Sequence, residues 1–225
     1  GNKKAKFSGE DLAIVVGDVI YAMALDAFLA VKENAQRKEN ALKKLISAAL
    51  YTGSGEFIEL LLGIKPLEKI TQKDIYKIYD YKTANYTFAS PLTIGATLAG
   101  VKTRPIKKLY AYGMLLGRAF QIQDDIIGTF SEEKETGKSN ITDIQEAKKT
   151  LLVWYAFNHT DKNGRLIIKR IMAAKSVKNT ALLKMRKIIV QSGALTYAQN
   201  QIKFLFSKSL NQIDGLSMDK RYKQA

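Results

Sequence analysis

Cysteine is absent from this chain of 225 residues, which excludes a disulfide scaffold and a thiolate metal site. Histidine occurs once, at His159, and reads as a surface residue. Prolines number only three, and alternating β patterns are scarce. There is no linker rich in Gly, Pro or Ser and no internal repeat, so residues 1–225 read as one domain. Long uncharged apolar runs are also missing. The nearest, "LAIVVGDVIYAMALDAFLAV", carries Asp18 and Asp26, charges that a membrane span tolerates poorly. With no secretory signal before it, the expectation is a soluble, cytoplasmic protein without stable membrane insertion. Acids are the scarcer charge, 21 against 36 Lys and Arg, a net of +15. That surplus suggests an anionic partner such as a nucleic acid, a membrane surface or a phosphorylated substrate, or else simply solvated faces. The lysines are spread out, with no dense block and no aromatic interleaving, which argues against a nucleic-acid platform.

What is present is helical periodicity. "SGED" from Ser8 to Asp11 is a capping sequence for a helix reaching about Val31. A second helix is expected over Glu39 to Leu62, kinked by "TGSG" at Thr52 to Gly55. Thr71 with Asp74 opens a third that continues to about Ala99, with Gly100 as its stop and a bend or break near Ser90 imposed by Pro91. Pro105 suits the first turn of a fourth, which reaches about Phe130. Ser131 to Ile141 reads as a polar loop and a candidate mobile lid. Shorter helices are expected over Asp143–Phe157, Asp161–Ala174, Lys178–Val190 and Ser192–Asn211. The fold class is all-α.

The fourth helix ends in an adjacent acid pair, Asp124 and Asp125, within "GRAFQIQDDIIG". Gln121 lies three residues before one and four before the other, so it shares their face. Two carboxylates this close repel unless a cation neutralises them. With oxygen donors only, that cation is Mg²⁺, which prefers to bridge carboxylates to substrate phosphates. The competing reading is a carboxylate pair at an exposed helix end. Downstream, Lys138 and Lys148 can offer compact positive charge to a phosphate, and Asp143 adds a third carboxylate. Upstream, Lys82 and Thr83 sit beside the Pro91 distortion, where they either face a ligand or lie on an ordinary helix surface.

"GRAFQIQDDIIG", "TGKSNITDIQEAKKTLL" and "YKTANYTFASPLTIGATLAG" together resemble the trans-isoprenyl diphosphate synthase (polyprenyl synthetase) family, which includes the farnesyl- and geranylgeranyl-diphosphate synthases. The resemblance implies an isoprenoid synthase helical bundle around a central apolar cavity. It implies a Mg²⁺-dependent prenyltransferase that condenses an allylic diphosphate with isopentenyl diphosphate, working as a homodimer. By the same resemblance Asp124 and Asp125 match the second aspartate-rich metal motif, with Asp143 as a further metal position. Lys82, Lys138 and Lys148 match diphosphate-binding lysines. Thr83 and Gln121 match groups whose oxygens lie beside the developing allylic cation, where neutral dipoles stabilise it without capturing it.

The chain departs from the family pattern in places. Gly128 stands where a third aspartate is usual, Glu56 where glutamine is, and Glu59 where aspartate is common. The first aspartate-rich motif belongs upstream of "AIVVGD", before Gly1, so the chain is expected to lack the N-terminal helices and that motif. This absence motivates a second reading, a catalytically weak regulatory subunit of a heteromeric synthase. A third is a basic helical nucleic-acid binder.

Overall fold

The computed structural model describes residues 7–130, 144 and 148–217. Lys138, Asp143 and the candidate lid at 131–141 lie outside the described residues. Among the described residues the fold is all-α, as the periodicity implies, and contains no strand. The described residues form nine α-helices: α1 (Gly9–Leu29), α2 (Ala35–Gly63), α3 (Gln72–Tyr79), α4 (Ser90–Leu98), α5 (Thr103–Phe130), α6 (Leu151–His159), α7 (Lys162–Met172), α8 (Asn179–Gln191) and α9 (Ala194–Ile213). A 3₁₀ turn, Leu67–Lys69, precedes α3, and a π-helical segment, Asp80–Ala89, joins α3 to α4.

Local chemistry sets the boundaries. Ser8 and Asp11 form a reciprocal capping box at α1, and Thr71 and Asp74 form another at α3. α2 starts earlier than its periodicity implies, because the Asn34 side chain accepts from the amides of Gln36 and Arg37. The expected interruption at Thr52 to Gly55 is not found: α2 stays helical throughout. Pro91 does not break the chain either. It cannot donate a ladder hydrogen bond, and the strain is absorbed upstream, where the Ser90 amide reaches back five residues to the Asn85 carbonyl. Gly100, at φ +72°, ends α4 as expected. α6 begins at Leu151, later than expected, since residues 148–150 are not helical.

α5 is the central rod. It packs against the π segment and α4 on one side and against α9 and α6 on another. α2 lies across the π segment and α4. Two glycines allow these helices to approach closely. A Cβ on Gly113 would stand 2.6 Å from Ala89 Cα, and one on Gly55 would stand 2.8 Å from the Lys82 amide nitrogen. The main core collects Ile75, Ile122, Leu151, Leu152, Ile168, Met185 and Ile189, all fully buried. Burying such a side chain contributes about 1.5–3 kcal/mol.

α1 takes no part in that core: none of its residues is buried. Leu12, Val16, Ile20 and Met23 are each at least half exposed. The outer stripe of α2, with Ile46, Leu50, Phe57 and Leu61, is exposed as well, as is Ile64 just beyond it. By length and composition alone, α1 and α2 are long and apolar enough to cross a membrane.

Candidate active site

α3 runs directly into the π segment, which carries Lys82 and Thr83 to face the C-terminal half of α5. The Gly55 contact seats α2 against the backbone at Lys82. Glu56, the next residue, and Glu59, one turn on, therefore reach the Lys82 ammonium, at 3.2 and 2.6 Å. Burial pulls the Lys82 pKa down, but hydrogen bonds and charge from Glu59 and then Glu56 outweigh it, so the pKa stands above the ordinary lysine value.

Thr83 Oγ1 donates to Gln121 Oε1 at 2.5 Å. This fixes which end of the Gln121 amide faces which neighbour. Its Nε2 group points at the acid pair, 3.0 Å from Asp125 Oδ1 and 3.4 Å from Asp124 Oδ2. The two acids have different surroundings. Asp124 is exposed, whereas Asp125 is only 5% exposed and accepts from the buried hydroxyl of Tyr79 on its other oxygen. Burial, and then the Asp125 charge, raise the Tyr79 pKa well above its ordinary value, so the hydroxyl remains a donor.

The far wall is the segment leading into α6. Thr150 adopts extended geometry and caps α6 by accepting from the Val153 amide. Lys149 Nζ donates to the carbonyls of Leu62, Gly63 and Lys65, satisfying the C-terminal end of α2. Burial, with Lys65 nearby, lowers the Lys149 pKa. Lys148 lies at the edge of the same cavity.

The result is a cavity of about 140 Å³ whose walls carry Glu59, Lys82, Thr83, Gln121, Asp124, Asp125 and Lys148. Six residues singled out in the sequence thus converge from the π segment, α5 and the α6 approach. Three carboxylates (Glu59, Asp124, Asp125) face three ammonium groups (Lys82, Lys148, Lys149) around this cavity. Among the described residues the charges of this wall balance. The exposed carboxylate of Asp124 offers oxygen donors of the kind a hard ion such as Mg²⁺ takes. A second, wider cavity of about 760 Å³ opens among α2, α4 and α5, with Tyr51, Asn85, Ser90 and Tyr110 among its walls.

Sequence reasoning missed Tyr79 and Lys149, and it assigned no role to Glu56 or Glu59. Tyr79 lies three residues before Lys82, one of 11 tyrosines, and nothing local distinguishes it. The two glutamates were visible as departures from a pattern, but their target was not.

Comparison with known proteins places these features in context. The profile of polyprenyl synthetases matches residues 2–189. The chain is 33% identical over 204 residues to geranylfarnesyl diphosphate synthase of Aeropyrum pernix, covering 89% of this chain and 62% of that protein. It is 29% identical over 205 residues to geranylgeranyl diphosphate synthase of Saccharolobus solfataricus, covering 87% and 58% respectively. The chain thus spans about six tenths of the length of these curated relatives. Its fold superposes on the crystal structure of geranylgeranyl pyrophosphate synthase from Corynebacterium glutamicum complexed with isoprenyl diphosphate and magnesium. That match has a TM-score of 0.84 at 25% identity and covers 97% of this chain and 63% of the other.

Proposed function

The chain belongs to the polyprenyl synthetase family, and we propose that it serves Mg²⁺-dependent prenyl transfer, the head-to-tail condensation of an allylic diphosphate with isopentenyl diphosphate. One observation carries this reading: Lys82, Thr83, Gln121, Asp124, Asp125 and Lys148, far apart in sequence, line one cavity.

In the proposed reaction the allylic C–O bond breaks and its electron pair leaves with the diphosphate. The isopentenyl double bond attacks the resulting cation to form a C–C bond, and loss of a proton restores an alkene. Mg²⁺ at the acid pair would offset diphosphate charge and ease its departure, held by Asp124 as the exposed member. Lys82 and Lys148 would bind diphosphate oxygens as compact cations. The Thr83 and Gln121 oxygens would face the developing positive charge as neutral dipoles. Asp125, fixed by Gln121 and Tyr79, would set the orientation of the pair.

The exposed faces of α1 and α2 support a homodimer in which a second copy covers them. Asp18 and Asp26 on α1 favour a protein partner over a bilayer, because an acid near a membrane centre costs about 2.5–3.5 kcal/mol or more.

Calorimetry with a non-hydrolysable allylic diphosphate analogue tests the site. Binding should require Mg²⁺ and be abolished by Asp124→Ala, a change at an exposed residue that leaves the core intact. Unchanged Mg²⁺-dependent affinity in that variant would defeat the assignment.

A further inference from the structure

We propose that Tyr79 is a positioning residue whose single hydroxyl ties the acid pair to the segment bearing Lys148. The inference rests on the diphosphate site proposed above and adds a residue to it.

Tyr79 is the last residue of α3, 5% exposed, three positions before Lys82. Its hydroxyl donates to Asp125 Oδ2 and accepts the Leu151 amide at 2.9 Å. The direction of each bond is forced. An amide N–H can only donate, so the one hydroxyl proton is left for the carboxylate. Asp125 Oδ1 accepts separately from Gln121 at 3.0 Å, so the carboxylate is gripped at both oxygens. A carboxylate held in this way cannot rotate about its Cβ–Cγ bond. Asp124, the preceding residue, meets the same Gln121 amide at 3.4 Å.

The Leu151 amide opens α6, and the two residues before it are fastened too. Thr150 caps α6, and Lys149 closes the C-terminal end of α2. Lys148 comes next, on the cavity wall. Three successive residues are therefore anchored to α6, α2 and α3. Of these, the Tyr79 anchor also touches the acid pair. A change in the Leu151 position is transmitted through one oxygen atom to the Asp125 carboxylate.

Tyr79→Phe removes that oxygen while keeping the ring that fills the core. Two measurements read the tie. In the ligand-free protein, hydrogen exchange at the Leu151 amide should rise at least about tenfold as its acceptor is lost. In calorimetry with the allylic diphosphate analogue, the half-saturating Mg²⁺ concentration should rise about tenfold or more, the scale on which groups orienting a metal ligand act. Circular dichroism should show unchanged helix content. Faster exchange at Leu151 with half-saturating Mg²⁺ unchanged within about twofold would overturn the positioning role and leave a purely structural bond. Unchanged exchange would overturn the tie itself. Analogue binding to the unaltered chain that ignores Mg²⁺ would overturn the proposed site, and with it the positioning role, whatever the exchange result.

Discussion

Thr83 Oγ1 and Gln121 Oε1 lie 2.5 Å apart, joined by a hydrogen bond across the contact between the π segment and α5. The hydroxyl selects the amide orientation that directs Gln121 Nε2 to the acids. Thr83→Val keeps the side-chain shape and removes the donor. In the proposed reaction the Gln121 oxygen would then lose its fixed direction. The expected outcome is a fall in kcat of about 10²-fold with little change in KM, as for loss of one preorganised electrostatic group. Steady-state kinetics checks it. An unchanged kcat would remove the pair from the reaction.

Lys82 is shared by Glu59 at 2.6 Å and Glu56 at 3.2 Å, so a diphosphate must compete with two carboxylates for it. Glu56 is half exposed, and such a pair is worth at most about 1 kcal/mol. Glu56→Gln should therefore tighten diphosphate analogue binding by about two- to fivefold. Glu59→Gln, at a shorter and less exposed contact, should do so by at least as much. The pairing also has a pH signature. Because the folded pKa of Lys82 is raised, its contribution to stability is complete below the ordinary lysine value and is lost as pH rises through the folded value. Unfolding measured from pH 9 upward should show a smaller alkaline loss of stability in the double glutamine variant than in the unaltered chain.

Asp80 and Arg118 form a two-pronged ion pair, 2.5 and 2.6 Å long, with the guanidinium 5.3 Å from the Tyr76 ring centre. The pair bolts the start of the π segment to α5 one turn before Gln121. Its members are only partly exposed, so losing one partner leaves a poorly solvated charge. Arg118→Ala is expected to cost about 1–3 kcal/mol. Asp80→Asn with Arg118→Ala should cost less than the sum of the singles. Additive losses in urea unfolding would show that the pair contributes no coupling.

The α-helical class and the Thr71 and Ser8 caps were legible because each depends on residues close in sequence. Of the cavity's six residues, the acid pair stood out by its own chemistry, two acids at the end of an apolar helix with Gln121 on their face, whereas Lys82, Thr83 and Lys148 were assigned roles through the family resemblance. Two kinds of feature were hidden. Pro91 signalled strain, but the site of relief, upstream in a π segment, depends on α5 and α2 packing on both sides. The non-helical stretch before Leu151 was hidden because its causes, Leu62 and Tyr79, lie more than 70 residues away. Gly55 looked like a helix breaker, yet the close approach of Lys82 is what requires it.

The proposed homodimer would cover the exposed faces of α1 and α2 with a second copy of the chain. Leu12, Val16, Ile20 and Met23 recur at helical spacing along one exposed stripe, and the α2 stripe offers a second. Surface of this kind is what a stable interface hides, with about 1,200–2,000 Å² buried in total. Placing an acid within the α1 stripe should desolvate a charge in the interface without disturbing a core that α1 does not enter. Val16→Asp with Ile20→Asp is therefore expected to convert a dimer to a monomer at tens of micromolar, read by light scattering. Helix content and Mg²⁺-dependent analogue binding should persist, since neither side chain lines the acid-pair cavity. A chain that is monomeric before substitution, or one that sediments with neutral lipid vesicles through α1, would sink the dimer and point to a bilayer or another protein as the cover.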